Sequence, residues 1–240
     1  MVRDPTDIPA SFLSLENEPN GRVTIVVRED VDLDAARPIL EAIASVAWGE
    51  HEHAYGSASD VENQLIALVV GDGATRKSAW WNLWGNVHHQ GTLYSATVPA
   101  VPILGDLSRW RAFPDRVESL LFLAEVANAP GVVVAHVGEN YEVTYDEDAQ
   151  AALTHKLVAL IDEVSRPLLS LWKIEPEQIR RSLLWLLSAL PHLHENYSEL
   201  IEAELPGQFE AAWTFRKRGA VSDAEYDDIQ EFESWVLSDA

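Results

Sequence analysis

Apolar residues recur three and four positions apart through most of this chain, the spacing of a single buried helix face. Ile39, Leu40, Ile43, Val46 and Ala47 make the first set, behind Asp32 and Asp34 as candidate caps, with Pro38 tolerable in the first turn and Gly49 as the stop. Ser59 and Glu62 have capping-box spacing ahead of Val61, Leu65, Leu68 and Val69, and Gly71 and Gly73 then break the run. Ala79, Leu83, Trp84 and Val87 predict a third helix that ends near Gly91. A fourth runs from about Tyr94 to Leu107, its start kinked or delayed by Pro99 and Pro102. Pro114-Asp115 opens a fifth with Val117, Leu120, Leu121 and Ala124, which Pro130-Gly131 should close.

Helical spacing returns with Leu153, Leu157, Leu160, Ile161 and Val164, and Arg166-Pro167 should break it. The most regular face belongs to Ile179, Leu183, Leu186, Leu187 and Leu190, between Glu175-Pro176 and Pro191. Shorter helices are expected over 195–205 and 208–217. Ser222 and Glu225 frame a second capping box, before Tyr226, Ile229, Phe232 and Val236.

Two segments depart from this period. R-V-T-I-V-V-R over 22–28 is β-branched and too short for a helix, so a minor strand is expected there. Residues 132–146, with V-V-V-A-H-V and Y-E-V-T-Y-D around G-E-N, predict a β-hairpin. The expectation is an all-α fold of roughly eight to ten antiparallel helices, paired at a period near 40 residues, which suits a short α-solenoid. Residues 1–30 read as an irregular N-terminal segment and 31–240 as one helical-repeat domain.

Two stretches carry a family likeness: His53 to Val61 (H-A-Y-G-S-A-S-D-V) and Leu83 to Leu104 (L-W-G-N-V-H-H-Q-G-T-L-Y-S-A-T-V-P-A-V-P-I-L). Together with Trp48 they resemble the HEAT-repeat proteins of actinobacterial type. The likeness rests on His53, Tyr55 and Gly56, then on His89, Gln90, Gly91, Thr92, Tyr94, Ala96, Thr97, Ala100, Val101 and Pro102. It implies a HEAT-like α-solenoid and no particular activity. The segment before Val31 and the 132–146 hairpin lie outside the family's motifs, and added elements of that kind can cover a concave face or build a site on it.

Composition narrows the partners. With 39 acidic against 17 basic residues the formal net charge is -22. Such a surface repels a phosphate backbone and anionic membranes, so neither nucleic acid nor membrane is expected as a partner. It favours a cationic partner, and it also serves solubility. There is no cysteine, hence no disulfide and no thiolate chemistry. No window is apolar enough to span a membrane, and M-V-R-D-P-T-D-I-P lacks a signal-peptide core. The expected location is the cytoplasm.

Candidate chemistry gathers in the family-like stretches. Trp81, Trp84, His88, His89, Gln90 and Tyr94 are the candidate ligand-binding residues, as an aromatic wall for an apolar or cationic ligand. His53, His88, His89 and Tyr55 could instead move a proton if they converge on one edge of the stack. The simpler account is that the rings pack between helices and that the H-Q-G-T turn satisfies exposed helix ends. His51-Glu52 and His194-Glu195 are two H-E dipeptides in dissimilar contexts, so no metal is expected, and no cofactor motif is present. Two functions follow. The first is a non-catalytic binding or scaffold protein that offers a concave helical face to a protein or peptide, a basic one by charge. The second is a cofactor-independent enzyme of natural-product metabolism with an aromatic and histidine pocket for a small apolar molecule.

Overall fold

Asp32 Oδ1 accepts the backbone N–H groups of Asp34 and Ala35 at 3.1 and 3.0 Å, and the first described helix, α1 (Leu33–Ala44), begins at this cap. The computed structural model describes residues 22–89, 91–136, 147–218 and 222–238. Among the described residues the fold is all-α with minor strands, and the chain divides into two compact units. One comprises the residues through Gln90 together with Tyr94–Pro99; the other comprises Gly91–Leu93 and everything from Ala100 onward.

The first unit is built on α2 (Val61–Val70), which is buried at every position except Glu62. A helix this apolar on all sides has to be the centre of its unit. α1 and α3 (Gly73–Val87) pack on it. Between α1 and α2 the chain makes a 3-10 turn at Trp48–Glu50, where the Trp48 indole donates to Ile43 O at 2.9 Å. It then forms a tight hairpin of β1 (Glu52–His53) and β2 (Gly56–Ser57). Gly56 closes that hairpin at φ 113°, a conformation that side chains with a Cβ rarely adopt.

The expected strand at 22–28 is an extended segment that meets the unit by one bridge, Val27 with Gly71. The bridge is made by the Asp72 N–H donating to Val26 O at 2.7 Å and the Arg28 N–H donating to Val70 O at 2.9 Å. Side chains hold the rest: Val23 N–H donates to Asn63 Oδ1 at 2.6 Å and Val26 N–H to Thr75 Oγ1 at 3.2 Å.

After α3 come the short strands β3 (His88–His89) and β4 (Thr92–Leu93), then α4 (Thr97–Arg109), which carries Pro102 inside it. In the second unit α5 (Arg116–His136) packs against α6 (Glu147–Ser170) and α7 (Glu177–Ser188). α8 (Ser198–Glu204) follows, and then α9 (Glu210–Arg218) packs on α10 (Asp223–Leu237), which also meets α7. The predicted box at Ser222 is present, with the Ser222 N–H donating to Glu225 Oε2 at 2.8 Å.

Four expectations change. α5 continues through Pro130-Gly131 to His136, so the predicted first strand of the 132–146 hairpin is helical as far as it is described. Residues 137–146 lie outside the described residues. Valines cost a helix only about 0.7 kcal/mol each or less, which a helix already anchored by buried Leu120 to Ala127 tolerates. Pro167 likewise lies inside α6 instead of ending it. The buried face of Leu157, Ile161 and Val164 continues beyond the proline with Leu168 and Leu169, which offsets a penalty of about 3 kcal/mol. The box expected at Ser59 is not formed: α2 begins at Val61 with Asp60 as its N-cap, and Asp60 makes no side-chain cap bond.

Candidate functional site

Asp60 fails to cap α2 because its carboxylate is used elsewhere. Oδ1 accepts from His53 Nε2 at 2.8 Å, and Oδ2 accepts from Gln64 Nε2 at 2.9 Å and Asn86 Nδ2 at 3.0 Å. All four residues are buried, with Asp60 only 3% exposed. A buried carboxylate without donors would be strongly unfavourable, and here three donors from the hairpin, α2 and α3 satisfy it. Asn86 O also accepts the Ala54 N–H at 3.0 Å, which binds the hairpin tip to the end of α3.

The tautomer of His53 follows from the geometry. The Tyr55 backbone N–H points at His53 Nδ1 from 3.0 Å and can only donate, so Nδ1 accepts and Nε2 carries the proton given to Asp60. Both ring nitrogens are therefore occupied, and a general base needs a free one.

The aromatic side chains lie differently from one another. On α3, Ala79, Trp80, Leu83 and Val87 are buried, Trp84 is half-buried, and Trp81 is 81% exposed. Trp81 and Trp84 stand three residues apart on α3 and so are neighbours on its surface, and His88 follows just past the end of the helix. Trp84 and His88 meet edge to face with ring centres 5.6 Å apart. Tyr55, at the hairpin tip, is 70% exposed. Its ring lies 5.5 Å from that of His89, and its hydroxyl is 3.4 Å from His89 Nδ1.

Tyr94 is half-buried, and its N–H donates to Thr97 Oγ1 at 3.0 Å. Thr97 in turn donates to Val87 O at 2.5 Å, so this turn does satisfy a buried carbonyl at the end of α3. Gln90 lies outside the described residues. The structure thus places His53 and Tyr55 on one hairpin with His89 against Tyr55, and Trp81 and Trp84 on the neighbouring helix with His88, just past its end, against Trp84.

The two H-E histidines sit in ordinary packing, His51 against Trp48 at 6.4 Å and His194 against Trp213 at 5.8 Å. No group of three or more metal-ligating side chains is gathered among the described residues. A separate open groove of about 460 Å³ runs along Thr24 and Val26 past Asp72, Ser78 and Asn82. Backbone and then side-chain hydrogen bonds from Thr75 hold the Asp72 carboxyl below its ordinary pKa, as suits the N-cap of α3.

Sequence reasoning missed Asp60, Gln64 and Asn86. The available signal was an aspartate one residue from a capping position, with a glutamine four residues on, facing an otherwise apolar helix. No family model matches the chain, and no curated protein and no solved structure matches it. The likeness to HEAT repeats therefore rests on the two motifs alone.

Proposed function

We propose that this chain is a non-catalytic binding protein, a helical scaffold that docks a protein or peptide of net positive charge. One observation carries the proposal. The aromatic rings of Tyr55 and Trp81 face solvent in the unit where His53, a candidate for proton transfer, has both nitrogens engaged. Exposed Tyr and Trp are the side chains most often found at the energetic centres of interfaces. The net charge of -22 would draw a basic partner and speed its encounter. In this proposal the helices stack in HEAT-like fashion and present the partner-binding face.

Purification of the tagged chain from its native host, with mass spectrometry of bound proteins and small molecules, tests it. The expected result is a stoichiometric basic protein, whose direct binding to the purified chain weakens as salt is raised. A stoichiometric apolar small molecule with no protein partner would overturn the proposal in favour of the enzyme.

A further inference from the structure

Asp and Glu supply 39 of the 240 residues, yet none occurs between Asp72 and Asp106. α3, with its exposed Trp81 face, lies wholly inside that interval. Acidic residues are depleted, and aromatic residues enriched, at the cores of protein interfaces, because burying an unpaired carboxylate is costly. The aromatic face of α3 can be covered without desolvating a single carboxylate of its own helix.

The chain itself indicates what covers such a ring. In the second unit the Arg216 guanidinium lies over the Trp185 ring, 3.5 Å from its centre, and Arg181 lies over Trp235 at 4.8 Å. Trp81 offers the same kind of ring with no cation or ring partner among the described residues.

We propose that Trp81 is the seat for an arginine side chain of the basic partner, held by cation–π contact, with Tyr55 as a second anchor on the same unit. The proposal rests on the binding function above and names the contact that performs it. A second copy of this chain is a poor occupant, because two chains of -22 repel each other. Long-range attraction comes from acids elsewhere on the chain, and short-range affinity comes from the rings. Lys77 is exposed one turn before Trp81, so a cation arriving there meets a like charge and is held by the ring face, not by an ion pair.

The test is titration of the full chain with deca-arginine, with deca-glutamate as control, at 0.1 and 0.5 M NaCl. The Trp81 indole N–H resonance, assigned by its loss in Trp81→Phe, reports contact. Deca-arginine should shift that resonance, and Trp81→Ala should weaken binding about threefold at the higher salt, where distant charges are screened. Trp81→Phe should fall between, and Lys77→Glu should tighten binding. Both sites are exposed, and unchanged circular dichroism checks that the variants fold. Equal binding by wild type and Trp81→Ala overturns the arginine seat and leaves the binding function standing. Absence of any deca-arginine binding, even at low salt, overturns the basic-partner function and the seat together. A wild-type dimer that becomes monomeric in Trp81→Ala also overturns the seat, since a second copy then fills the face.

Discussion

His53 Nε2 donates to Asp60 Oδ1 at 2.8 Å, in a buried site where the other Asp60 oxygen already accepts from Gln64 and Asn86. This contact ties the β1–β2 hairpin to α2 and α3, and it sets where Tyr55 emerges. Removing the carboxylate strands three buried donors. Asp60→Ala is therefore expected to cost about 3 kcal/mol, and His53→Ala about 2 kcal/mol. Urea unfolding followed by tryptophan fluorescence measures both. Losses below 1 kcal/mol would mean that the network is solvated and does not hold the hairpin.

The same network marks how much of the molecule was legible beforehand. Helix positions followed from apolar spacing because burial on one face, as with Ala36, Ile39 and Ile43 on α1, is what stabilises them. Pro167 misled because burial continues beyond it at Leu168 and Leu169, which is a tertiary fact, and Pro130 too is carried inside a helix. At the candidate site, the helical spacing of Trp81 and Trp84 was readable from α3. Their exposure was not, since α3 carries aromatics on both its buried and its solvent faces. Asp60 has the residue type and position of a cap. Its recruitment by His53 depends on a hairpin whose register no local rule reveals.

In the second unit, partial burial of the Glu233 carboxyl, then repulsion from Glu125 and more weakly from Glu118, raises its pKa above the ordinary value, and Arg216 opposes this. A raised pKa means that the folded state binds the proton more tightly than the unfolded chain. Charged Glu233 is thus destabilising at neutral pH. The cost is relieved as pH falls through the raised folded value and is gone below the unfolded value, about 4.3. Glu233→Gln should raise stability at pH 7 by no more than about 0.5 kcal/mol, because solvent screens the site. Melting temperature against pH should be flatter for the variant on the acid side. A lower melting temperature for the variant at pH 7 would reverse the assignment.

Arg216 is buried between the Trp185 ring and the Glu125 carboxylate, and Glu125 also accepts from Trp185 Nε1 at 3.3 Å. Lysine would keep the charge but lose the planar stack and its fixed donors. Arg216→Lys is expected to cost about 1 kcal/mol and Arg216→Ala about 3 kcal/mol, read by thermal unfolding. If Arg216→Lys matches wild type, the charge alone carries the contact and the ring face contributes nothing.

Gly105 faces Val164, and a Cβ placed on Gly105 would lie 2.6 Å from the Val164 Cβ and 2.9 Å from Cγ1. α4 and α6 can approach this closely only because position 105 has no side chain. Alanine inside a helix is ordinarily better than glycine by about 0.5–1 kcal/mol, so propensity alone predicts that Gly105→Ala stabilises. The overlap with Val164 is far inside van der Waals contact, and both positions lie in helices that cannot shift independently of their cores. Overpacking of this kind costs about 1–3 kcal/mol, which exceeds the propensity gain and sets the sign as destabilising. Val164→Ala removes the two Cγ methyl groups, at 2.9 and 3.0 Å, but keeps the Cβ at 2.6 Å, so the double variant should recover only part of the overpacking cost, about 0.5 kcal/mol relative to the sum of the two single changes. Denaturant melts of the four proteins complete the cycle. Simple additivity would mean that α4 and α6 separate freely at this point and that the close approach is not a constraint of the fold.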